Sequence, residues 1–145
     1  MEYISQTELI LNLILSATLF GVIWMIQLVV YPGFRWLAED NWNKYHNEYT
    51  GFVMWIVMPL MLVEFGLNGW LVLRSGINGD WFLPFMMVLT VWLSTFFIQI
   101  PQHNQLTQGK DDAVIQKLIR GNWIRTLVWS FKLIYISFLV YEALL

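Results

Sequence analysis

Four apolar runs fill most of this 145-residue chain, and they constrain its fold more than any other feature. They cover about 9–31, 52–73, 81–100 and 123–144. A helix needs about 20 apolar residues to cross roughly 30 Å of hydrocarbon, and each run has that length. A soluble domain of this size has too little interior to hide them. Of the residues, 58% are hydrophobic and 12% are charged, about half the charged share of a typical globular protein. The expected fold is all-α: one integral membrane four-helix bundle in a lipid bilayer. The opening MEYISQTE is acidic and lacks the basic stretch of a signal peptide, so the first run is expected to be retained. A net charge of −2 gives no footprint for nucleic acid. With no cysteine, disulfides, thiolate metal sites and thiol catalysis are excluded.

Lysine and arginine predict the orientation. Arg35, Lys44, Lys110, Lys117, Arg120 and Arg125 cluster around two connections, against Arg74 alone on the other side, which also holds the acidic Glu2 and Glu8. The positive-inside rule places both longer connections in the cytosol and both termini outside. The expected location is a plasma membrane of the bacterial inner-membrane type. Trp36, Trp42, Trp55 and Trp123 on one side, and Trp70 and Trp81 on the other, fit interfacial aromatic belts.

The outer connection, 74–80, is short and holds two glycines, so the second and third helices should be antiparallel neighbours. Each cytosolic connection begins at a proline, Pro32 or Pro101. A proline ends or bends the helix before it. An amphipathic surface segment follows each. In the second, Asp111 is a cap and Gly121 is placed as the stop.

Polar residues inside the runs mark candidate sites. Asn122, Arg125, Trp129 and Lys132 follow at steps of three, four and three, so they share a helix face. Lys132 lies about 14 Å along the fourth run and Glu64 about 18 Å along the second, similar depths. Intramembrane charge needs a partner, so the two are expected to pair. The pair is either a register-fixing salt bridge or the floor of a site. Asn12, Ser16 and Gln27 form a stripe on the first helix, and Thr90, Ser94, Thr95 and Gln99 lie on the third. Such side chains bond across packed helices. Gln27 and Gln99 are also placed to line a cavity mouth.

His46 and His103 are the only histidines, both on the cytosolic side. On a continuous helix His46 and Glu64 would be about 27 Å apart, which rules out a shared metal. His46 and His103 can approach each other, and with Glu48 they are weak metal candidates. Haem ligation and simple hydrogen bonding are the other readings of the histidines, so the cofactor stays unknown; no HExxH, P-loop, GxGxxG or Ser-His-Asp pattern is present.

The elements YPGF (31–34), IPQHNQL (100–106) and NWIRT (122–126) resemble a family of small four-span membrane proteins that includes the anthrone oxygenases of polyketide pathways, together with distant bacterial relatives. The matching positions are Pro101, Asn104, Leu106, Asn122 and Arg125; His103 stands where the oxygenases carry asparagine. The resemblance implies an oxygenase-like or redox activity on a flat, apolar, aromatic or quinone-like substrate. His46, His103 and Arg125 are then the catalytic candidates. Asn104, Asn122, Glu64, Lys132, Trp129, Gln27 and Gln99 are the substrate-binding candidates. Two plainer readings stay open. Asn104, Asn122 and Arg125 could simply satisfy backbone groups freed by Pro101 near lipid. The whole chain could be a non-catalytic accessory subunit of a membrane complex, or a homo-oligomer.

Overall fold

The computed structural model describes residues 4–144; Glu2 lies outside them. Among the described residues there are four long helices and no strand. We label them α1 (Gln6–Trp36), α2 (Glu39–Ser75), α3 (Phe82–Leu106) and α4 (Asp112–Leu144). All four are long and apolar enough to cross a membrane, with mean hydropathy from 1.4 to 2.3. Each helix packs on its neighbours in sequence, and α4 closes the ring against α1.

The helices are longer than the apolar runs. The 37 residues of α2 measure about 55 Å, well beyond the roughly 30 Å of hydrocarbon. The two amphipathic segments are therefore the first turns of α2 and α4, not separate surface helices. Gly121 does not stop a helix. An added Cβ there would lie 2.6 Å from Ile98 Cγ2, so the glycine lets α3 and α4 approach closely. Asp111 does cap α4, its carboxylate accepting from Ala113 N (2.8 Å) and Val114 N (3.2 Å).

Neither Pro32 nor Pro101 ends its helix. Each is preceded by one π-helical turn, Ile26–Val30 and Thr95–Gln99. There the N–H groups of Tyr31 and Ile100 reach back five residues, to Ile26 O and Thr95 O. A proline ring clashes with the carbonyl four residues earlier. The wider turn relieves that clash, and the chain continues as helix. The connections at this end, which we call the proline end, are consequently short: Leu37 and Ala38, then 107–111. Lys110 Nζ ties them together by donating to Arg35 O and Leu37 O, both at 2.9 Å. Arg35 also bonds Gln116.

Of the expected interfacial tryptophans, Trp36, Trp55, Trp70 and Trp123 are exposed, but Trp42 and Trp81 are only 1% and 2% exposed. Trp42 donates its indole N–H to Leu106 O (2.8 Å), one of the open carbonyls at the end of α3. Trp81 packs with Leu9, Leu71, Ile136 and Leu139 at the opposite end. That end is tied by Glu8, which pairs with Arg74 (2.9 Å) and accepts from Trp70 (3.1 Å). A capping box between Ser5 and Glu8 starts α1 there.

Candidate functional site

A cavity of about 410 Å³ lies between the helices toward the proline end. Leu19, Ile23, Val53, Val57 and Met61 give it apolar walls, and Trp129 contributes an indole. Polar groups converge at the proline end: Tyr31 from α1, Tyr49 from α2, Thr95, Gln99 and His103 from α3, and Arg125 from α4.

Arg125 is held from three sides. Its Nε donates to Asn122 Oδ1 (2.9 Å), Nη2 to Tyr31 Oη (3.3 Å) and Nη1 to Thr95 Oγ1 (3.5 Å). Asn122 is itself fixed, donating to Gln27 Oε1 (2.8 Å), which also accepts from Thr126 (3.2 Å). Gln27 Nε2 in turn donates to Ile119 O (3.2 Å). The Asn122–Gln27 bond thus joins α1 to α4, and it orients a guanidinium that sits 6% exposed beside an apolar cavity.

The histidines meet. His103 Nε2 is 3.0 Å from Tyr31 Oη, and His103 Nδ1 is 3.1 Å from His46 Nε2. Trp42 stacks on the His46 ring at 5.2 Å, and Phe34 closes on it edge-on. His46 lies behind His103 and does not line the cavity. Glu48 is exposed, and among the described residues no group of three or more His, Asp or Glu is gathered for a metal.

The expected ion pair is present. Lys132 Nζ lies 3.1 Å from Glu64 Oε1, both groups fully buried. Lys132 also donates to Asn12 Oδ1 (3.1 Å) and Ser16 Oγ (2.7 Å). Asn68, four residues past Glu64, accepts from Asn12 at 3.1 Å. The pair is not the cavity floor. Trp129 stands between, lining the cavity while its indole N–H donates to both Glu64 oxygens at 3.2 and 3.1 Å. The cluster is a satisfied network that fixes Trp129.

Among the substrate-binding candidates, Gln99, Asn104 and Trp129 line the cavity, while Gln27, Asn122, Glu64 and Lys132 stand behind it as supports. Asn104 is exposed at the mouth and does not tie down the turn at Pro101; it is its backbone carbonyl that accepts, from Thr107 Oγ1 (2.7 Å). The sequence did not single out Tyr31 or Tyr49, and Thr95 figured only among the polar residues of the third run. Tyr31 belongs to the YPGF element, and that was the only pointer. Two cavity residues hold buried polar atoms without partners: the hydroxyl of Tyr49 and both ends of the Gln99 amide. Comparison with protein-family models, curated proteins and solved structures gives no match.

Proposed function

We propose that this chain is a small membrane oxidoreductase of the oxygenase type, whose cavity receives a flat, apolar molecule bearing oxygen, aromatic or quinone-like. The observation that carries the reading is the pairing of apolar walls with unpartnered polar atoms at one end. Buried polar side chains nearly always find a hydrogen-bond partner. Gln99 and Tyr49 have none within the protein, and a ligand oxygen would supply one. A mostly apolar pocket with a few convergent polar groups is the usual form of a small-molecule site.

The residues suit a base-assisted oxidation. His103, acting through the Tyr31 hydroxyl bonded to it, takes a proton from an activated C–H or phenolic O–H, and Arg125 holds the oxyanion that results, in a setting where water does not screen it. Dioxygen is the oxidant. A methylene between two aromatic rings becomes a carbonyl; one oxygen atom is retained, and the other leaves as water with the two methylene hydrogens. The resemblance of IPQHNQL and NWIRT to the anthrone oxygenase family supports the same chemistry. The distribution of lysine and arginine supports placing the proline end in the cytosol and the termini outside, in a plasma membrane of the bacterial type.

Anthrone is a direct probe. Purified protein in detergent should consume oxygen and convert anthrone to anthraquinone faster than buffer does. Menadione should quench tryptophan fluorescence saturably through Trp129. Arg125→Lys keeps the charge but loses the planar fork; it should weaken menadione binding tenfold or more while the protein still inserts and folds. Absence of both saturable quenching and anthrone turnover would overturn the proposal in favour of an accessory subunit.

A further inference from the structure

We infer that Tyr31, His103 and His46 form a proton wire from the cavity to the first turns of α2, with His46 as its outer terminal. The inference rests on the proposed proton transfer at the cavity but assigns residues that His103 alone does not require.

Three helices each supply one link. Tyr31 comes from α1, His103 from α3 and His46 from α2. The links are 3.0 Å and 3.1 Å, within hydrogen-bond reach. The direction of the hydrogens is assigned with the help of Arg125. A guanidinium only donates, so at 3.3 Å it occupies a lone pair of Tyr31 Oη. The wire takes the phenolic hydrogen as donated to His103 Nε2. A neutral imidazole carries one proton, so His103 holds its own on Nδ1 and donates it to His46 Nε2. His46 in turn holds its proton on Nδ1. That nitrogen is buried and has no partner in the protein. The chain of donors therefore ends on an N–H that no group of the protein accepts.

One proton passes along the wire in concerted steps. A ligand at the cavity end gives a proton to Tyr31 Oη as the phenolic hydrogen moves to His103 Nε2. The Nδ1 proton of His103 moves to His46 Nε2, and the Nδ1 proton of His46 passes to a water molecule that must first enter beside this ring, which is fully buried at rest. Every group ends with as many protons as it began, and both rings have exchanged tautomers. Reverse transfer resets the wire and returns a proton to the cavity. His46 lies seven residues into α2, about 10 Å from its start, in the stretch where Asn43, Lys44 and Tyr45 are exposed. Trp42 and Phe34 hold its ring in register with His103.

The chain has two histidines, so their nitrogen signals can be assigned from single variants. Nitrogen-15 histidine labelling of the full chain in detergent micelles or nanodiscs reads the wire without any ligand. The expected result is a through-hydrogen-bond coupling between His103 Nδ1 and His46 Nε2, with both rings neutral and protonated on Nδ1. Tyr31→Phe removes the donor to His103 Nε2 and should shift the tautomer populations of both rings together. His46→Gln keeps an acceptor for His103 and should leave His103 protonated on Nδ1. Absence of the coupling in the unsubstituted protein overturns the wire, as does a His46 tautomer that ignores Tyr31→Phe. Those outcomes leave anthrone turnover and menadione binding standing on their own, while loss of those two with the coupling intact overturns the oxygenase reading and keeps the wire.

Discussion

Replacing Lys132 should damage this protein more than replacing its partner, and replacing both should be milder than replacing Lys132 alone. Glu64 and Lys132 are both fully buried, 3.1 Å apart. In Lys132→Leu the carboxylate keeps only the indole N–H of Trp129. Stranding one member of a buried pair typically destabilises by about 3–5 kcal/mol, and this case belongs at the upper end. In Glu64→Leu the ammonium still has Asn12 Oδ1 and Ser16 Oγ within 3.1 and 2.7 Å, so the loss belongs near ~3 kcal/mol. The double change removes both charges. It leaves the Trp129 N–H without a partner, while Ser16 Oγ still donates to Asn12 Oδ1 (3.3 Å), a loss of about 1–3 kcal/mol. The measurement is thermal and SDS-induced unfolding of the four proteins in one detergent, read as a double-mutant cycle. Single variants that unfold like the unsubstituted protein, or a double loss equal to the sum of the singles, would refute the claim that these groups act as a pair.

Three other outcomes are expected. Gly121→Ala should be neutral to destabilising, because overpacking against Ile98 at about 1–3 kcal/mol opposes a helix-propensity gain of about 1 kcal/mol; in an Ile98→Ala background the same change should stabilise, and unfolding curves showing no such reversal would remove the close-approach role. Trp42→Phe keeps an aromatic ring but loses the pyrrole ring and its bond to Leu106 O, so it should lower stability by at least about 1 kcal/mol, whereas an unchanged unfolding midpoint would show that this carbonyl needs no indole. Reporter fusions within 110–120 and at the C-terminus should give opposite sidedness, with the C-terminal fusion outside; a cytosolic C-terminus would overturn the orientation read from Arg35, Lys44 and the Lys110–Arg125 group.

The four helices were legible because hydrocarbon length and apolar run length are the same physical quantity. The Glu64–Lys132 contact was legible because depth follows from residue count in a helix and an intramembrane charge needs a partner. What could not be read were features that depend on how one helix meets another. Gly121 looked like a stop because a glycine near a polar segment usually is one; only the position of Ile98 reveals it as a contact point. Trp42 looked like an interfacial anchor because its neighbours in sequence are polar, yet the open carbonyl that it serves belongs to α3. Pro32 and Pro101 looked like helix ends because the usual proline rule assumes an α-helix, and the π turn escapes it. Tyr31 was passed over because a tyrosine at the end of an apolar run is common, and nothing local says that a histidine 72 positions later lies 3.0 Å from its hydroxyl.

The two π turns mark where this protein has a residue to spare. A π turn holds one residue more than the α turn it replaces, so deleting a lipid-facing residue there, Leu28 in α1 or Phe97 in α3, would let the helix relax to α geometry. The α turn covers the same rotation with one residue fewer, so what lies beyond keeps its phase around the helix axis. A deletion elsewhere in α1 or α3 has no spare residue to remove and turns one side of the helix by about 100° relative to the other. Deleting Leu28 should therefore leave Tyr31 facing Arg125 and His103, and deleting Phe97 should leave His103 facing His46, each at the cost of restoring the proline clash that the wider turn relieves. In this chain the angular phase of a helix is itself an inherited trait, and the π turns are where length can change by one residue without altering it.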